Sequence, residues 1–266
     1  MPELPEVETI KRDLEKIIIN KTITDVFTSS PKVIKGISAK DFDKQLKGKK
    51  ITEIIRKGKI LIFGLSSGKF LLVHLRIAGW IIYGQKQERS RVAIKLSDKT
   101  FINYMDQRLL GELKIADDYL SVKFIKNLGP DPLSMGLNDF KRIISASSRN
   151  IKVLLLDQSI IAGIGNIYAQ EALFRSGILP QRKSNSLTDS EVKMLFQEIR
   201  AVLKEGIKHR GSSVDLYRDP SGNKGGMERR LKVYGRKGEN CCSCDGIIEK
   251  ISVGGRGTCF CPKCQK

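Results

Sequence analysis

The chain of 266 residues is strongly basic, with 48 lysine and arginine residues against 29 aspartate and glutamate residues and a formal net charge of +19 at pH 7. A surplus of this size indicates a polyanionic partner. We expect no membrane association, because no apolar run approaches the roughly 20 residues of a spanning helix and no lipidation motif or signal peptide is recognisable. The composition therefore favours a cytoplasmic protein that meets nucleic acid.

The N-terminus begins Met1-Pro2-Glu3, which places a secondary amine beside a carboxyl group once the initiator methionine is removed. The pKa of an α-amino group lies well below that of a lysine side chain, so much of it is available as a nucleophile at neutral pH. Condensation with an aldehyde-like carbon would give an iminium ion, an electron sink for bond cleavage, with Glu3 as acid or base. Taken alone, an ordinary terminus with Pro5 in the first helical turn is the simpler interpretation.

The first half of the chain predicts one helix followed by a β domain. Apolar residues recur at helical spacing between residues 6 and 17 and predict an amphipathic helix. Its apolar positions are Val7, Ile10, Leu14 and Ile17. From about residue 22 to 119 the pattern becomes β-branched and roughly alternating, which predicts a sandwich or barrel-like domain. Five strands are predicted there, at residues 51–55, 60–65, 70–75, 92–96 and 101–104.

The chain changes character near residue 129, where a Gly-Pro-Asp-Pro linker precedes helical periodicities. Thr188 and Glu191 form a capping-box pattern ahead of a buried helix. Earlier, Gly163-Ile164-Gly165-Asn166 precedes another helix, where Asn166 would cap the helix and free N–H groups would face a phosphate. A plain connection between two helices is equally consistent with that turn. Residues 211–230, rich in glycine and charge, predict a mobile loop or lid.

Two C-x2-C pairs separated by sixteen residues lie near the C-terminus. Their members are Cys241, Cys244, Cys261 and Cys264. This spacing is typical of a structural zinc site with four thiolates, and it disfavours the alternative of an iron–sulphur centre. Cys242 and Cys259 fit no ligand pair. Residues 247–253 and the glycine-rich residues 254–258 predict a hairpin whose turn presents Arg256, which bound zinc would hold in a fixed direction.

Four segments of the chain carry a family resemblance. They are MPELPEVET, IAGIGNIYAQEALFRSGILP, VYGRKGENC and VGGRGTCFCPKC. Together they resemble the formamidopyrimidine-DNA glycosylase family, which shares its helix-two-turn-helix and zinc-finger architecture with endonuclease VIII. The resemblance implies an α+β fold with an N-terminal helix and catalytic β-sandwich domain over residues 1–128. It further implies a helix-two-turn-helix DNA-binding domain over residues 129–230 and a zinc finger over residues 231–266.

The resemblance also implies a base-excision repair enzyme whose partner is double-stranded DNA with a damaged base or an abasic site. Such an enzyme flips an oxidised purine, such as 8-oxoguanine or a formamidopyrimidine, out of the duplex before removing it. Pro2 would attack C1′ while Glu3 protonates the opening sugar, and β- and δ-elimination would then nick the strand. Glu6 and Glu171 match acidic positions that assist this chemistry in the family.

The resemblance assigns further residues to the DNA. Lys59 matches a β-hairpin lysine that contacts phosphates beside the lesion and serves catalysis. Lys152, Asn166 and Arg256 match residues that hold phosphates of the kinked backbone. Arg256 is also expected to belong to the catalytic site. Tyr234 belongs to the VYGR motif and is expected to contact the DNA.

The residues that would fill the space of the flipped base depart from the family pattern. A methionine, an arginine and a phenylalanine enter the duplex in the family, whereas the corresponding loops here read HLRIAG and DQRLLG. The implied wedge is Ile77, Leu109 and Leu110. An apolar wedge unstacks bases but does not hydrogen-bond an opposing cytosine, which leaves Arg108 or Arg76 as a substitute.

Three hypotheses follow. The first is the bifunctional glycosylase and lyase, for which the loop at residues 213–230 favours oxidised purines over oxidised pyrimidines. The second is an enzyme of the same fold that acts as an abasic-site lyase or damage binder with little base excision, as the altered wedge would allow. The third is a zinc-ribbon nucleic-acid binder without catalysis. We expect a monomer, because one nucleophile is sufficient for the reaction. We also expect a nucleoid-associated location.

Overall fold

The computed structural model describes residues 1–214 and 216–266, so that Asp215, within the loop expected at residues 213–230, lies outside the described residues. The chain divides by packing into two compact units. Unit 1 comprises Met1–Lys126 and Gly206–Glu228, and unit 2 comprises Asn127–Glu205 and Arg229–Lys266. Residues 206–228 thus pack with the β domain, although the sequence placed them in the helical domain. The predicted domain bounds stay a prediction.

Unit 1 begins with helix α1 (Leu4–Ile18), whose apolar face is fully buried. Val7, Ile10, Leu14 and Ile18 form that face. Ile17, which the periodicity placed in it, is instead 37% exposed. The correction follows from helix geometry. Ile18, four positions after Leu14, is rotated less around the helix axis from Leu14 than Ile17, three positions after it, and so continues the buried face. Helix α2 (Ala39–Leu46) follows the first strand.

Two antiparallel four-stranded sheets form the body of unit 1. The strands in chain order are β1 (Ile23–Thr28), β2 (Ile51–Lys57), β3 (Ile60–Leu65), β4 (Phe70–His74), β5 (Gly79–Gly84), β6 (Val92–Leu96), β7 (Phe101–Asp106) and β8 (Glu112–Ala116). One sheet has the order β1-β6-β7-β5 and the other has the order β2-β3-β4-β8. Their facing side chains enclose one apolar core, which confirms the β-sandwich.

The five predicted strands are all present, and the three that the pattern did not reveal, β1, β5 and β8, lie at sheet edges. Edge strands are paired on one side only and tolerate charged and irregular sequences. In β8, for example, Glu112 and Lys114 are partly exposed. The short helix α3 (Lys123–Lys126) ends the first segment of unit 1.

Unit 2 is helical. Its helices are α4 (Leu137–Ser145), α5 (Ile151–Leu156) and α6 (Asn166–Arg175), and α7 (Asp189–Lys208) continues into unit 1. The predicted capping box is confirmed at α7, because the Thr188 N–H donates to Glu191 at 2.8 Å and the Glu191 N–H donates to the Thr188 hydroxyl at 3.3 Å. The predicted cap of α6 is wrong by one residue. Gly165 occupies the cap position, and Asn166 is the first helical residue.

The C-terminal hairpin pairs β9 (Glu249–Val253) with β10 (Arg256–Phe260). Its turn consists of Gly254 and Gly255, which have φ angles of +58° and +71°. A two-residue turn with two positive φ angles matches the twist of the strands and requires residues such as glycine. The turn is shorter than the sequence suggested, and Arg256 therefore begins the second strand opposite Val253.

Within the described part of the chain, no helix has the length and apolar character needed to cross a membrane.

Candidate active site

The first turn of α1 buries two carboxyl groups beside Pro2. Glu3 is 2% exposed and Glu6 is 1% exposed, and Pro2 itself is buried. The Glu3 N–H donates to Glu6 Oε2 at 2.7 Å, while the Glu3 carboxylate accepts from the Glu6 N–H. This reciprocal cap fixes both side chains against the backbone. The residues singled out at the N-terminus therefore form one rigid cluster at the start of a helix.

Glu6 has a second support, which sequence reasoning missed. The Ser212 N–H donates to Glu6 Oε1 at 2.8 Å, and the buried Tyr217 hydroxyl donates to the Glu6 carbonyl oxygen at 3.5 Å. A Cβ atom on Gly211 would lie 2.7 Å from Glu6 Cγ, so only glycine fits there. The Gly-Ser pair at residues 211–212 is visible in the sequence. No local pattern, however, indicates that it contacts a carboxylate about two hundred residues earlier.

The described residues from 211 to 227, called segment 211–227 below, are joined to one another and to residue 209 by hydrogen bonds. The mobile lid expected from composition stays a prediction. The Gly226 N–H donates to the His209 carbonyl oxygen at 2.7 Å, and the Met227 N–H donates to Gly211 at 3.1 Å. The Gly225 N–H also donates to the Ser213 hydroxyl at 2.9 Å. These bonds close the base of the segment. A 3-10 turn, Met227–Arg230, follows it.

Lys59 lies in the tight turn between β2 and β3 and is only 6% exposed, so it is not an ordinary solvated charge at a strand end. Arg56 supports this turn by donating to the Gly58 carbonyl oxygen at 3.1 Å and to Glu8 of α1 at 2.7 Å. Burial acts to raise the pKa of Glu8, but hydrogen bonds from Arg56 and Arg12 hold that pKa below its ordinary value. The Lys59 turn is thereby tied to the helix that carries Glu3 and Glu6.

His74 is the last residue of β4. Its Nδ1 atom accepts from the Arg76 N–H at 3.2 Å. Burial, assisted by the charges of Arg76 and Lys59, lowers the pKa of His74 to about 3. The imidazole is consequently neutral at physiological pH and serves as an acceptor.

The implied wedge is only partly exposed. Ile77 is 44% exposed and Leu110 is 48% exposed, whereas Leu109 is half-buried and packs against the sandwich core. Asp106 fixes the second loop, because its carboxylate accepts from the Leu109 N–H at 3.0 Å and from the Gly111 N–H at 2.7 Å. Two exposed apolar side chains, rather than three, are thus presented, with Ile77 on the first loop and Leu110 on the second, which Asp106 holds.

The two arginines beside the wedge differ in their engagement. Arg76 donates through Nε and Nη2 to Glu112 Oε1, at 3.2 and 2.7 Å. Arg108 follows Asp106 by two residues, and its side chain is exposed. Two arginines were left open by the sequence. Among the residues that the structure describes, Arg108 forms no ion pair with an acidic side chain, whereas Arg76 pairs with Glu112.

In unit 2, a hydrogen-bond chain supports the strand that carries Arg256. The fully buried Lys152 on α5 donates to the Thr258 hydroxyl at 2.6 Å, and Thr258 donates to the Arg256 carbonyl oxygen at 2.9 Å. Asn166 and Gln170 of α6 both donate to the Gly257 carbonyl oxygen, at 3.3 and 3.2 Å. Arg256 itself is exposed. The phosphate contacts expected of Lys152, Asn166 and Arg256 stay predictions, and the geometry adds a supporting role for the first two.

Glu171 lies on the buried face of α6 and is fully enclosed. Its carboxylate accepts backbone N–H bonds from Lys232, Val233 and Tyr234, at 2.9, 3.0 and 2.9 Å. Three donors compensate the cost of burying the charge. Glu171 therefore fixes the segment that contains Tyr234. The catalytic role of Glu171 and the DNA contact of Tyr234 stay predictions.

The four predicted zinc ligands converge on one point, with their sulphur atoms all within 4.8 Å of one another. The sulphur atoms of three pairs, Cys241–Cys264, Cys244–Cys261 and Cys244–Cys264, lie 3.8, 3.5 and 3.4 Å apart. Thiolates about 2.3 Å from a tetrahedral zinc ion lie about 3.8 Å apart, so the cage fits that ion. Four thiolates leave no open position for water, which makes the zinc structural.

The other two cysteines stay outside this cage. Cys259 is buried and packs in the small core of the zinc finger with Phe174 and Ile248, whereas Cys242 is exposed.

Family models match three stretches of the chain. They are the formamidopyrimidine-DNA glycosylase N-terminal domain over residues 1–113, the formamidopyrimidine-DNA glycosylase H2TH domain over residues 128–218, and the zinc finger found in FPG and IleRS over residues 238–266. The chain belongs to the formamidopyrimidine-DNA glycosylase family.

Relatives and solved structures agree over the full length. The chain is 41% identical to formamidopyrimidine-DNA glycosylase of Desulfitobacterium hafniense over 273 residues, covering 100% of both chains. It is 37% identical to that of Mycoplasma mobile, covering 100% of this chain and 99% of the relative. The structure of Lactococcus lactis Fpg in complex with abasic-site DNA has a TM-score of 0.92 at 34% identity, covering 99% of each chain. MutM of Thermus thermophilus has a TM-score of 0.89 at 38% identity, covering 99% of this chain and 98% of that one.

Membership in the formamidopyrimidine-DNA glycosylase family confirms the expected fold class and zinc finger. It also identifies the chain as an enzyme of base excision repair, a DNA glycosylase that acts on damaged bases.

Substitution of Gly211 tests the support of Glu6. Gly211→Ala would introduce a Cβ atom 2.7 Å from Glu6 Cγ at a residue with φ of +82°, and we expect it to slow damaged-base excision by about tenfold or more, because Glu6 must move. Gly68→Ala is the matched control, since Gly68 has φ of +80° with nothing within 4 Å. It should cost about 1 kcal/mol of unfolding free energy and leave the excision rate unchanged. Equal excision rates for the two variants would contradict the account.

Removal of a zinc ligand tests the zinc finger. We expect Cys261→Ala to lose its zinc and to bind an abasic duplex about tenfold more weakly or worse, because the strand carrying Arg256 loses its anchor. Cys242→Ala, at the exposed cysteine, should keep one zinc ion and full affinity. Zinc content and binding isotherms measure both. Trp80, the only tryptophan, lies on β5, so its fluorescence should show that the sandwich stays folded. Full affinity in a zinc-free variant would be incompatible with this role.

Proposed function

We propose that the chain is a bifunctional DNA glycosylase and abasic-site lyase that uses the Pro2 nitrogen as its nucleophile. The observation that carries the proposal is the cluster at the start of α1, where Glu3 and Glu6 are buried beside Pro2 and fixed by reciprocal hydrogen bonds. Carboxyl groups near a chain end act on a substrate only when their positions are fixed. The hydrogen bonds of the helix cap fix the carboxyl groups of Glu3 and Glu6.

In the proposed reaction, the secondary amine of Pro2 attacks C1′ of the damaged nucleotide, and the bond from C1′ to the base breaks. The base leaves with the electron pair of that bond and takes up a proton, which balances the proton that the amine loses. Glu3 donates a proton to the ring oxygen O4′, which opens the sugar and leaves a C1′ iminium ion on the Pro2 nitrogen. The positive nitrogen acidifies C2′. Loss of a C2′ proton to a base expels the 3′ phosphate, and a second elimination expels the 5′ phosphate.

We further propose DNA as the partner and oxidised purines as the preferred lesions. The strongly basic composition supports binding to the phosphate backbone. Lactococcus lactis Fpg has been solved with DNA containing Fapy-dG, at 35% identity to this chain and a TM-score of 0.91. The loop at residues 213–230 matches the one that lies over the flipped purine in the resembling family, and Ser212, directly before it, binds Glu6. The monomeric state and the nucleoid-associated location expected from the sequence stay predictions.

Arg108 is proposed to meet the base opposite the lesion. Its side chain is exposed, whereas Arg76 is held by Glu112. Because an arginine can donate to a base edge and the apolar Ile77 and Leu110 cannot, Arg108 would supply the opposite-base preference.

The second candidate function is an abasic-site lyase or damage binder with little base excision, or an enzyme with a preference for oxidised pyrimidines. The observation that favours it is the apolar surface of the wedge, where Ile77 and Leu110 are exposed. Single-turnover assays on duplexes with 8-oxoguanine, an oxidised pyrimidine or an abasic site separate these candidates. Nicking of the abasic duplex without release of 8-oxoguanine would establish the second.

The role of Pro2 is tested by Pro2→Gly. We expect release of 8-oxoguanine and coupled nicking to fall by roughly two orders of magnitude, because a primary amine does not give a permanently charged iminium ion. Pro5→Ala is the matched control, since it removes a proline from the same turn of α1 without altering the nucleophile. Its rates should stay close to those of the unaltered protein. Unchanged processing by Pro2→Gly would support the non-catalytic zinc-ribbon hypothesis instead.

The role of Arg108 is tested on duplexes with 8-oxoguanine opposite cytosine or adenine. We expect Arg108→Ala to reduce the ratio of excision opposite C to excision opposite A by about tenfold, the scale of one good base contact. Arg76→Ala should change that ratio little, because its guanidinium binds Glu112. A reduced ratio in Arg76→Ala alone would reassign the contact to Arg76.

A further inference from the structure

Arg210, just after the end of α7, has an unfavourable backbone conformation for its residue type. Its φ angle is +61°, and its N–H donates to the Ile207 carbonyl oxygen at 3.0 Å. Helices commonly end in this left-handed conformation, but glycine usually occupies it, because a side chain there costs roughly 1 kcal/mol or more. An arginine at this position therefore calls for a compensating interaction of its side chain.

The side chain of Arg210 joins two carboxylates from different parts of unit 1. Its Nη1 and Nη2 atoms donate to Asp13 on α1, with Nη1 at 3.2 Å from Oδ1. Its Nε atom donates to Asp219 Oδ2 at 2.8 Å. Asp219 is fully buried, whereas the Arg210 side chain is 44% exposed. Loss of Arg210 would leave the buried Asp219 carboxylate without its countercharge.

Asp219 also organises a tight turn in segment 211–227. Its Oδ1 atom accepts from the Ser221 N–H at 3.0 Å and from the Asn223 N–H at 2.9 Å. The Pro220 carbonyl oxygen accepts from the Tyr83 N–H of β5 at 2.7 Å. Residues 219–223 thus form a turn held by hydrogen bonds, and the Arg210 side chain connects this turn to α1.

Segment 211–227 and the preceding Arg210 together contact α1 at two places on one face of the helix. Ser212 binds Glu6, and Arg210 binds Asp13, which follows Glu6 by seven residues, or two helical turns. The contacts at Glu6 include the Ser212 N–H and the uncharged Tyr217 hydroxyl, whereas the contact at Asp13 is a paired, charge-assisted one. The Arg210 bridge therefore sets how the segment lies along α1.

We propose that Arg210 is a positioning residue for base excision, which holds the Asp219 turn on α1 and so keeps segment 211–227 in register with Glu6. The inference rests on the proposed function for the identity of the reaction. It assigns Arg210, Asp13 and Asp219 to the glycosylase step, in which the damaged base must be held. The lyase step on an existing abasic site has no base to hold and does not depend on the bridge.

The test compares Arg210→Gly, Asp13→Asn, Asp219→Asn and the double variant Arg210→Gly/Asp219→Asn. Arg210→Gly removes the bridge and also relieves the backbone strain, which limits its effect on stability. Asp219→Asn keeps an oxygen that accepts the Ser221 and Asn223 N–H bonds but loses the charge that Arg210 binds. Arg142→Ala is the control for loss of an arginine, because its pair with Asp139 on α4 is exposed.

Two rates are measured for each variant under single-turnover conditions, release of 8-oxoguanine from a duplex and nicking of a preformed abasic duplex. We expect each single variant to release the base about fivefold to tenfold more slowly and to nick the abasic duplex at the original rate. The double variant should release the base no more slowly than Arg210→Gly or Asp219→Asn alone, because each of these substitutions already breaks the same bridge. Arg142→Ala should match the unaltered protein in both rates.

Unchanged base release in folded Arg210→Gly and Asp219→Asn would overturn the inference. Slower release in Arg210→Gly alone, with both aspartate variants unaffected, would also overturn it and would assign Arg210 to a phosphate. An equal loss of both rates would place the bridge in general support of α1 rather than in base excision. If the unaltered protein released no base, the proposed function would fail first, and that result is visible before any variant is compared.

Discussion

The reciprocal hydrogen bonds between Glu3 and Glu6 at the start of α1 are the constraint on which the proposed chemistry depends. A chain terminus is ordinarily mobile, and a nucleophile placed there would sample many positions. Here Glu3 caps the helix that begins at Leu4, and the Glu3 N–H donates to Glu6 Oε2 at 2.7 Å while the Glu3 carboxylate accepts from the Glu6 N–H. The buried apolar face of α1 then anchors the helix to the sandwich core.

The same physical device recurs at the other loops of interest. Glu6 accepts from the Ser212 N–H, Asp106 accepts from the N–H groups of the wedge loop, and Glu171 accepts three N–H bonds from residues 232–234. A buried carboxylate destabilises the fold unless it accepts hydrogen bonds. Buried backbone N–H groups of a loop likewise destabilise the fold unless they find acceptors. Each carboxylate meets both requirements at once. These hydrogen bonds hold each loop in one defined conformation in the structure without a substrate, as a pre-organised site requires.

The sequence predicted what adjacent residues encode. The N-terminal cluster and the zinc cage were found because their members lie within a few residues of one another or at a fixed spacing. Three of the four edge strands of the sandwich, β1, β5 and β8, were not predicted because their alternation is weak. Asn166 was assigned as a cap because the preceding Gly165 leaves no side-chain signal. Contacts over long sequence separations were out of reach. Neither the Ser212 bond to Glu6 nor the buried position of Lys152 beneath Thr258 follows from any local pattern.

Identification of the atom that becomes attached to DNA tests the central claim most directly. An abasic duplex is incubated with the Met-processed protein, the intermediate is reduced with borohydride, and the attached peptide is mapped by mass spectrometry. The account predicts that the adduct lies on the Pro2 nitrogen of the N-terminal peptide. An adduct on a lysine side chain, with Lys59 as the buried candidate beside α1, would contradict it.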